Sequence, residues 1–116
     1  MPRSTIKLLF FGDIVGRPGR EAIKTYLSQL EGESRPDVII GNVENASHGF
    51  GLTEKNYLEL KESGLQILTS GNHIWDKRDI LNYIDNCPDL LRPCNMAEKS
   101  AGRGYGVFEF GSFKLF

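Results

Sequence analysis

Cysteine is scarce in this chain: Cys87 and Cys94 are the only two. Two thiols make neither a disulfide framework nor a four-cysteine zinc site, and they read as reduced thiols of a cytoplasmic protein. Long apolar runs are missing too; none approaches the ~18 residues that span a bilayer. The opening Met1-Pro2-Arg3-Ser4-Thr5 is charged, and the apolar stretch after it stops at Gly12-Asp13. That pattern suits a strand, not the core of a signal peptide. Charge of one sign is also lacking: Lys+Arg 14 against Asp+Glu 15 leaves −1 over 116 residues. A general nucleic-acid or membrane-surface binder, normally basic, is therefore not expected. There is no internal repeat and no low-complexity segment. What is present is 40% hydrophobic and 25% charged residues, enough apolar side chain to offset the entropy of ordering. The length suits one domain, spanning 1–116.

The order of elements can be read from apolar patterning. Ile6-Lys7-Leu8-Leu9-Phe10-Phe11 is nearly continuous, as in a strand covered on both faces. A helix is expected from near Pro18, with Ile23, Tyr26, Leu27 and Leu30 on one face and Gly32 at its end. Val38-Ile39-Ile40 predicts a second strand, and Thr53 an N-cap for a helix through Tyr57, Leu58, Leu60 and Lys61 that ends at Gly64. A third strand is expected at 65–69. Asp79 predicts the cap of a third helix with Ile80, Leu81, Tyr83 and Ile84 on its apolar face, and Pro88 bars its continuation. Tyr105 to Phe110, a Gly111-Ser112 turn and Phe113 to Phe116 read as a hairpin. The order β-α-β-α-β-α followed by β-β implies an α/β fold with a largely parallel sheet. The last strand stops in mid-pattern at Leu115-Phe116. It would leave apolar side chains and an open edge, so the chain reads as the first part of a longer protein, with a terminal edge strand as the alternative.

In an open parallel sheet, ligands bind beyond the carboxyl ends of the strands. Three of the expected strands run there into polar clusters: Asp13, Glu44-Asn45 and Asn72-His73. Two carboxylates, two amides and an imidazole make a mixed oxygen and nitrogen set. Such a set suits Mn²⁺, Fe, Mg²⁺ or Zn²⁺ better than soft Cu(I). The candidate metal set is Asp13, Glu44, Asn45 and Asn72. His73 is the candidate catalytic acid, because an imidazole near neutrality can protonate a leaving alkoxide. Each residue alone has a plainer reading as a turn residue, a helix cap or a packed histidine. Their shared position at one end of three strands is what core packing does not require.

Other motifs compete. Gly12-Asp13-Ile14-Val15-Gly16-Arg17-Pro18-Gly19 has the outline of a glycine-rich nucleotide loop, but neither G-x-G-x-x-G spacing nor G-K-[ST]. It leaves open a non-catalytic module that holds a phosphate or nucleotide at the start of the first helix. His48 lies in a glycine-containing loop and is a weak ligand candidate. Lys77, Arg78 and Arg92 are candidates for phosphate contact, with a solvated charged face as the simpler reading.

Four segments carry a resemblance to a known family. Leu9-Phe10-Phe11-Gly12-Asp13-Ile14-Val15-Gly16 with Gly19-Arg20 resembles the opening motif of the YmdB-type family of calcineurin-like metallophosphoesterases. Asn42-Val43-Glu44-Asn45-Ala46 with Gly49-Phe50-Gly51-Leu52-Thr53 resembles its second motif. Ser70-Gly71-Asn72-His73-Ile74-Trp75-Asp76-Lys77 resembles the third, and Arg92-Pro93 with Asn95 the next landmark. The resemblance implies an α/β/β/α sandwich, here cut to its first part, and a centre of two divalent metal ions (Mn, Fe or Mg). It implies phosphodiesterase activity on cyclic nucleotides, 2′,3′-cyclic and in some members 3′,5′-cyclic. By matched position, Asp13 binds the first metal, Glu44 bridges both and Asn72 binds the second. Asn45 hydrogen-bonds the phosphate or a water at the metals, and His73 is the general acid. The family draws three further histidine ligands from its second half, which this sequence does not include. Weak activity or none is therefore expected of this chain alone, and a homo-oligomer is left open.

Overall fold

The structure is a computed structural model that describes residues 5–116. Three parallel strands form its centre: β1 (Leu8–Phe11), β2 (Val38–Asn42) and β3 (Ile67–Thr69), in that spatial order. Leu8 lies beside Val38 and Phe11 beside Gly41; Ile40 lies beside Ile67 and Asn42 beside Thr69. Two helices, α1 (Gly16–Ser28) and α2 (Glu54–Ser63), follow β1 and β2. An antiparallel hairpin, β4 (Phe108–Phe110) and β5 (Phe113–Leu115), forms a separate two-stranded sheet. Gly111 takes φ +59° in its turn, a conformation glycine adopts without steric cost.

Both helices lie over one face of the parallel sheet. Ile23 and Leu27 of α1, Tyr57 and Leu60 of α2, and Ile39 and Leu68 of the sheet share one buried cluster. Alternation along the strands sends Val38, Ile40 and Ile67 to the opposite face, where Phe108, Phe110, Phe113 and Leu115 of the hairpin cover them. The segment after β3 runs beside it, with Leu68 N donating to Asp89 O and Leu91 N to Leu68 O, both at 2.8 Å. No described helix is long and apolar enough to cross a membrane.

Helix ends follow local chemistry. Thr53 caps α2, its Oγ1 accepting from Asn56 N at 3.2 Å, and Gly64 closes it at φ +126°. The helix α1 begins two residues before Pro18, which fits the first turn because its missing N–H needs no intrahelical partner there. It stops at Ser28, ahead of the expected Gly32. Gln29 N bonds back to Tyr26 O and Leu30 N to Leu27 O, while Gly32 opens a separate 3₁₀ turn.

Two expectations are corrected. The strand β1 is not covered on both faces: Leu9 and Phe11 pack on the core, whereas Leu8 (49%) and Phe10 (52%) are exposed. They share the face of their neighbours Val38 and Ile40, but the hairpin sits over β2 and β3. The third α-helix is replaced by two 3₁₀ turns, Arg78–Asn82 and Ile84–Asn86, separated at Tyr83 with φ −133°. Ile80, Tyr83 and Ile84 are buried as expected, but Leu81 is exposed. Tyr83 donates its hydroxyl to Leu52 O and Asp85 accepts from Gly102 N, so tertiary bonds hold the break, and Pro88 follows closely. Such tight turns are used in short pieces of this kind.

Leu60 is fully buried and Leu58, on the same helix, is 57% exposed. Leu60→Ala is expected to cost about 2–5 kcal/mol in urea unfolding, while Leu58→Ala stays within about 0.5 kcal/mol. Equal losses from the two would contradict the assignment of this helix face.

Candidate active site

Parallel strands direct all three carboxyl ends to one rim. Asp13 lies two residues past β1, Glu44 two past β2, and Asn72 three past β3, where it opens a 3₁₀ turn, Asn72–Trp75. The loop after β1 is tied to the end of β2 by Ile14 N donating to Asn42 O at 3.1 Å and Gly16 N to Asn45 O at 3.0 Å. Val43 N donates to Thr69 O at 2.9 Å and joins the loop after β2 to β3.

Side chains complete the convergence. Asn45 Nδ2 donates to Asp13 Oδ1 at 2.8 Å, and His73 N donates to Glu44 Oε2 at 3.0 Å. The Glu44 carboxylate occupies space that only glycine leaves open. A Cβ on Gly71 would lie 2.6 Å from Glu44 Oε2 and closer still to Oε1. Glu44 and Asn45 are half-buried, and Asp13, Asn72 and His73 are exposed or nearly so, so the rim opens to solvent. Of the five expected site residues, Asp13, Glu44, Asn45 and His73 are joined by direct hydrogen bonds or by shared charge, and Asn72 is placed beside them by its backbone. The structure thus brings together residues from three separate strand ends.

His73 has a further partner. Its Nδ1 lies 2.7 Å from Asp76 Oδ2. The imidazole pKa is raised above its usual value, first by the hydrogen bond to Asp76, against an opposing desolvation. The negative charges of Asp76, Glu44 and Asp13 add to the rise. Both candidate carboxylates therefore act on the same imidazole. Sequence reasoning gave Asp76 no role of its own, although its position three residues after His73 on a tight turn was the available signal.

Neither Asp13 nor Glu44 is paired with a lysine or arginine among the described residues. Two uncompensated carboxylates and neighbouring amides are hard oxygen donors, the type that divalent cations such as Mn²⁺ and Mg²⁺ accept. The cradle that Gly71 opens for Glu44 fits such a role. Among the described residues, no group of three or more His, Cys, Asp or Glu side chains is arranged to hold a metal, so any metal reading of this rim rests on its amides as well as its carboxylates.

Other candidates lie elsewhere. His48, held at φ +56°, lines a cavity of about 540 Å³ at the starts of α1 and α2 with Arg17, Arg20, Lys55 and Glu59. Lys77 Nζ sits 4.3 Å from the centre of the Phe50 ring. Arg92 is not on a solvated face. It is buried, and its guanidinium donates to Ala101 O and Pro93 O, both at 3.1 Å. The residues from Gly16 to Gly19 form the first turn of α1 instead of an open phosphate loop. Gly16 N and Gly19 N already have carbonyl partners, and Pro18 has no N–H to offer.

Residues 9–116 match the model of the YmdB-like protein family. A 2′,3′-cyclic-nucleotide 2′-phosphodiesterase of Bacillus subtilis is 48% identical over 99 residues, which cover 85% of this chain and 38% of that protein. A phosphatase structure from Mycoplasma pneumoniae superposes with a TM-score of 0.84 at 42% identity, covering 94% of this chain and 40% of that one. A hypothetical protein from Thermus thermophilus gives 0.85 at 31% identity, with 94% and 42% covered. The chain spans about two-fifths of the length of these relatives.

Two outcomes are expected. In an NMR titration, the His73 ring should show a midpoint above the ordinary imidazole value of about 6.5. Because the folded-state pKa is the higher one, the stability this pair contributes is full below the ordinary value and is lost as pH rises through the folded value. A midpoint at or below the ordinary value would remove the pairing. Gly71→Ala should leave global stability within about 1 kcal/mol, since the displaced atoms are the free end of the Glu44 side chain. It should nevertheless strip the His73 amide of its acceptor, seen as a shifted and faster-exchanging amide signal; an unchanged amide would argue against the cradle.

Proposed function

The chain belongs to the YmdB-like family, and from that premise we propose that it carries the first part of the active site of a metal-dependent phosphodiesterase acting on cyclic nucleotides. The carrying observation is the convergence of Asp13 and Glu44 at one rim, through the Asn45 side chain and the His73 amide. A site of this charge repels a phosphodiester anion unless cations intervene. Two divalent metal ions, Mn, Fe or Mg, would supply that compensation and activate water for attack on phosphorus. Asp13 would hold the first, Glu44 both, and Asn72 the second, and the two-sheet sandwich that the resemblance implies would enclose them. Asn45 already spends one amide hydrogen on Asp13 and has its second available for a phosphate oxygen.

His73 takes the role of general acid. Its raised pKa keeps the ring protonated further into the neutral range. The proton on Nε2 is then available to the departing ribose oxygen as the P–O bond of the cyclic diester opens. A 2′,3′-cyclic nucleotide is the substrate named for the Bacillus subtilis relative. We extend that class to this protein, with 3′,5′-cyclic nucleotides as a second candidate. The alternative, a metal-independent phosphate-binding module at the start of α1, is disfavoured because Gly16 N and Gly19 N are already engaged and Pro18 has no N–H to offer.

The test uses the 116-residue chain. Added Mn²⁺ should broaden the NMR signals of Asp13, Glu44, Asn45, Asn72 and His73, and EDTA should restore them. Glu44→Gln should weaken this uptake by about tenfold or more, since even groups that only support a ligand act on that scale. Binding should be weak and hydrolysis of bis-p-nitrophenyl phosphate slight. Nucleotide binding that survives both EDTA and Glu44→Gln would replace this reading with the module.

A further inference from the structure

We propose that Asp76 is a positioning residue for His73, fixing the imidazole with its proton on Nδ1 so that Nε2 is the nitrogen that exchanges a proton at the rim. The inference rests on the reading of His73 as the proton donor and adds the residue that makes one nitrogen the reactive one.

The geometry closes a small ring. Asp76 N donates to His73 O at 3.0 Å, while the His73 ring reaches back to Asp76 Oδ2 at 2.7 Å. An ionised carboxylate has no proton to give, so the hydrogen in the second bond belongs to Nδ1. The backbone bond and the side-chain bond together fix both the position and the rotation of the ring. The 3₁₀ turn makes this natural, because residues three apart lie almost one above the other. The next residue does not compete for the carboxylate: the Lys77 ammonium sits over the Phe50 ring. Its stem packs against Gly51, where an added Cβ would lie 2.5 Å from Lys77 Cγ. Asp76 thus faces His73 without a cation of its own from that neighbour.

The chemical consequence concerns which nitrogen works. A free neutral imidazole prefers its proton on Nε2. With Nδ1–H held by Asp76, the neutral ring carries a bare Nε2, and protonation adds the mobile proton there. The Nδ1 proton stays in its bond throughout. A surface ion pair with no positioning role would leave the tautomer preference of the neutral ring as it is in water.

The experiment is ¹⁵N–¹H long-range correlation NMR on the labelled 116-residue chain, at a pH about two units above the His73 midpoint, where the ring is neutral. The wild type should show an Nδ1–H tautomer. Asp76→Ala should move the Nδ1–H to Nε2–H ratio toward Nε2–H by about fivefold or more, and Asp76→Glu should recover part of it. A wild-type ring protonated on Nε2 overturns the proposal, whether or not the alanine variant folds, and so does a ratio unchanged in a folded Asp76→Ala. No metal or substrate enters this measurement. Failure of Mn²⁺ uptake at Asp13 and Glu44 would therefore sink the phosphodiesterase reading alone, and failure of the tautomer would remove Asp76's role alone.

Discussion

Parallel pairing is the constraint on which everything else in this molecule rests. With β1, β2 and β3 running the same way, every carboxyl end opens on one rim. The residues just past those ends, Asp13, Glu44 and Asn72, have no alternative location. An antiparallel arrangement of the same three segments would send one of them to the opposite edge. The pairing is itself held by apolar burial on both faces of β2, where Val38, Ile39 and Ile40 are all buried. The chemistry of the rim is thus a consequence of a hydrophobic contact some distance from it.

The loop between β2 and α2 turns this polarity into geometry. It carries Glu44 and Asn45 and would be too polar to sit partly buried without partners. Arg20, reaching from α1, donates to Ala46 O at 2.7 Å and pairs with Glu59 of α2 at 3.2 Å. Buried Ser47 donates to Asn56 Oδ1 at 2.6 Å and accepts from Thr53 N at 2.9 Å. Both helices therefore brace the turn that presents these two candidate residues. Gly51 completes it at φ +77°, tight against Lys77. Any side chain there would meet both an unfavourable backbone conformation and the Lys77 main chain.

The rim was legible because its signal is one-dimensional: an apolar run, then a glycine and a polar residue, three times over. Thr53 and Gly64 were legible for the same reason, since a cap acts on its own helix within a few residues. Coverage of β1 was not. Leu8 and Phe10 are as apolar as a doubly buried strand requires, and only the placement of the hairpin over β2 and β3 leaves them open. The segment after Asp79 has helical periodicity at Ile80, Tyr83 and Ile84. Its division into two tight turns depends on partners as distant in sequence as Leu52 and Gly102. Arg92 shows the same limit. Nothing near it in the chain announces that its guanidinium is committed to backbone carbonyls inside the molecule.

By itself the sequence determined the order of the strands and of the first two helices, and the residue types that crown the strands, because these depend on periodicity and on local backbone preference. Only the tertiary structure decided that Asn45 reaches Asp13, that the His73 amide meets Glu44 across Gly71, and that the arginine of the fourth motif is structural. The first two are contacts between segments far apart along the chain, and the third needs the loop to Ala101 to fold back on Arg92. Their geometry follows from how layers pack, and no short-range pattern of residues encodes it.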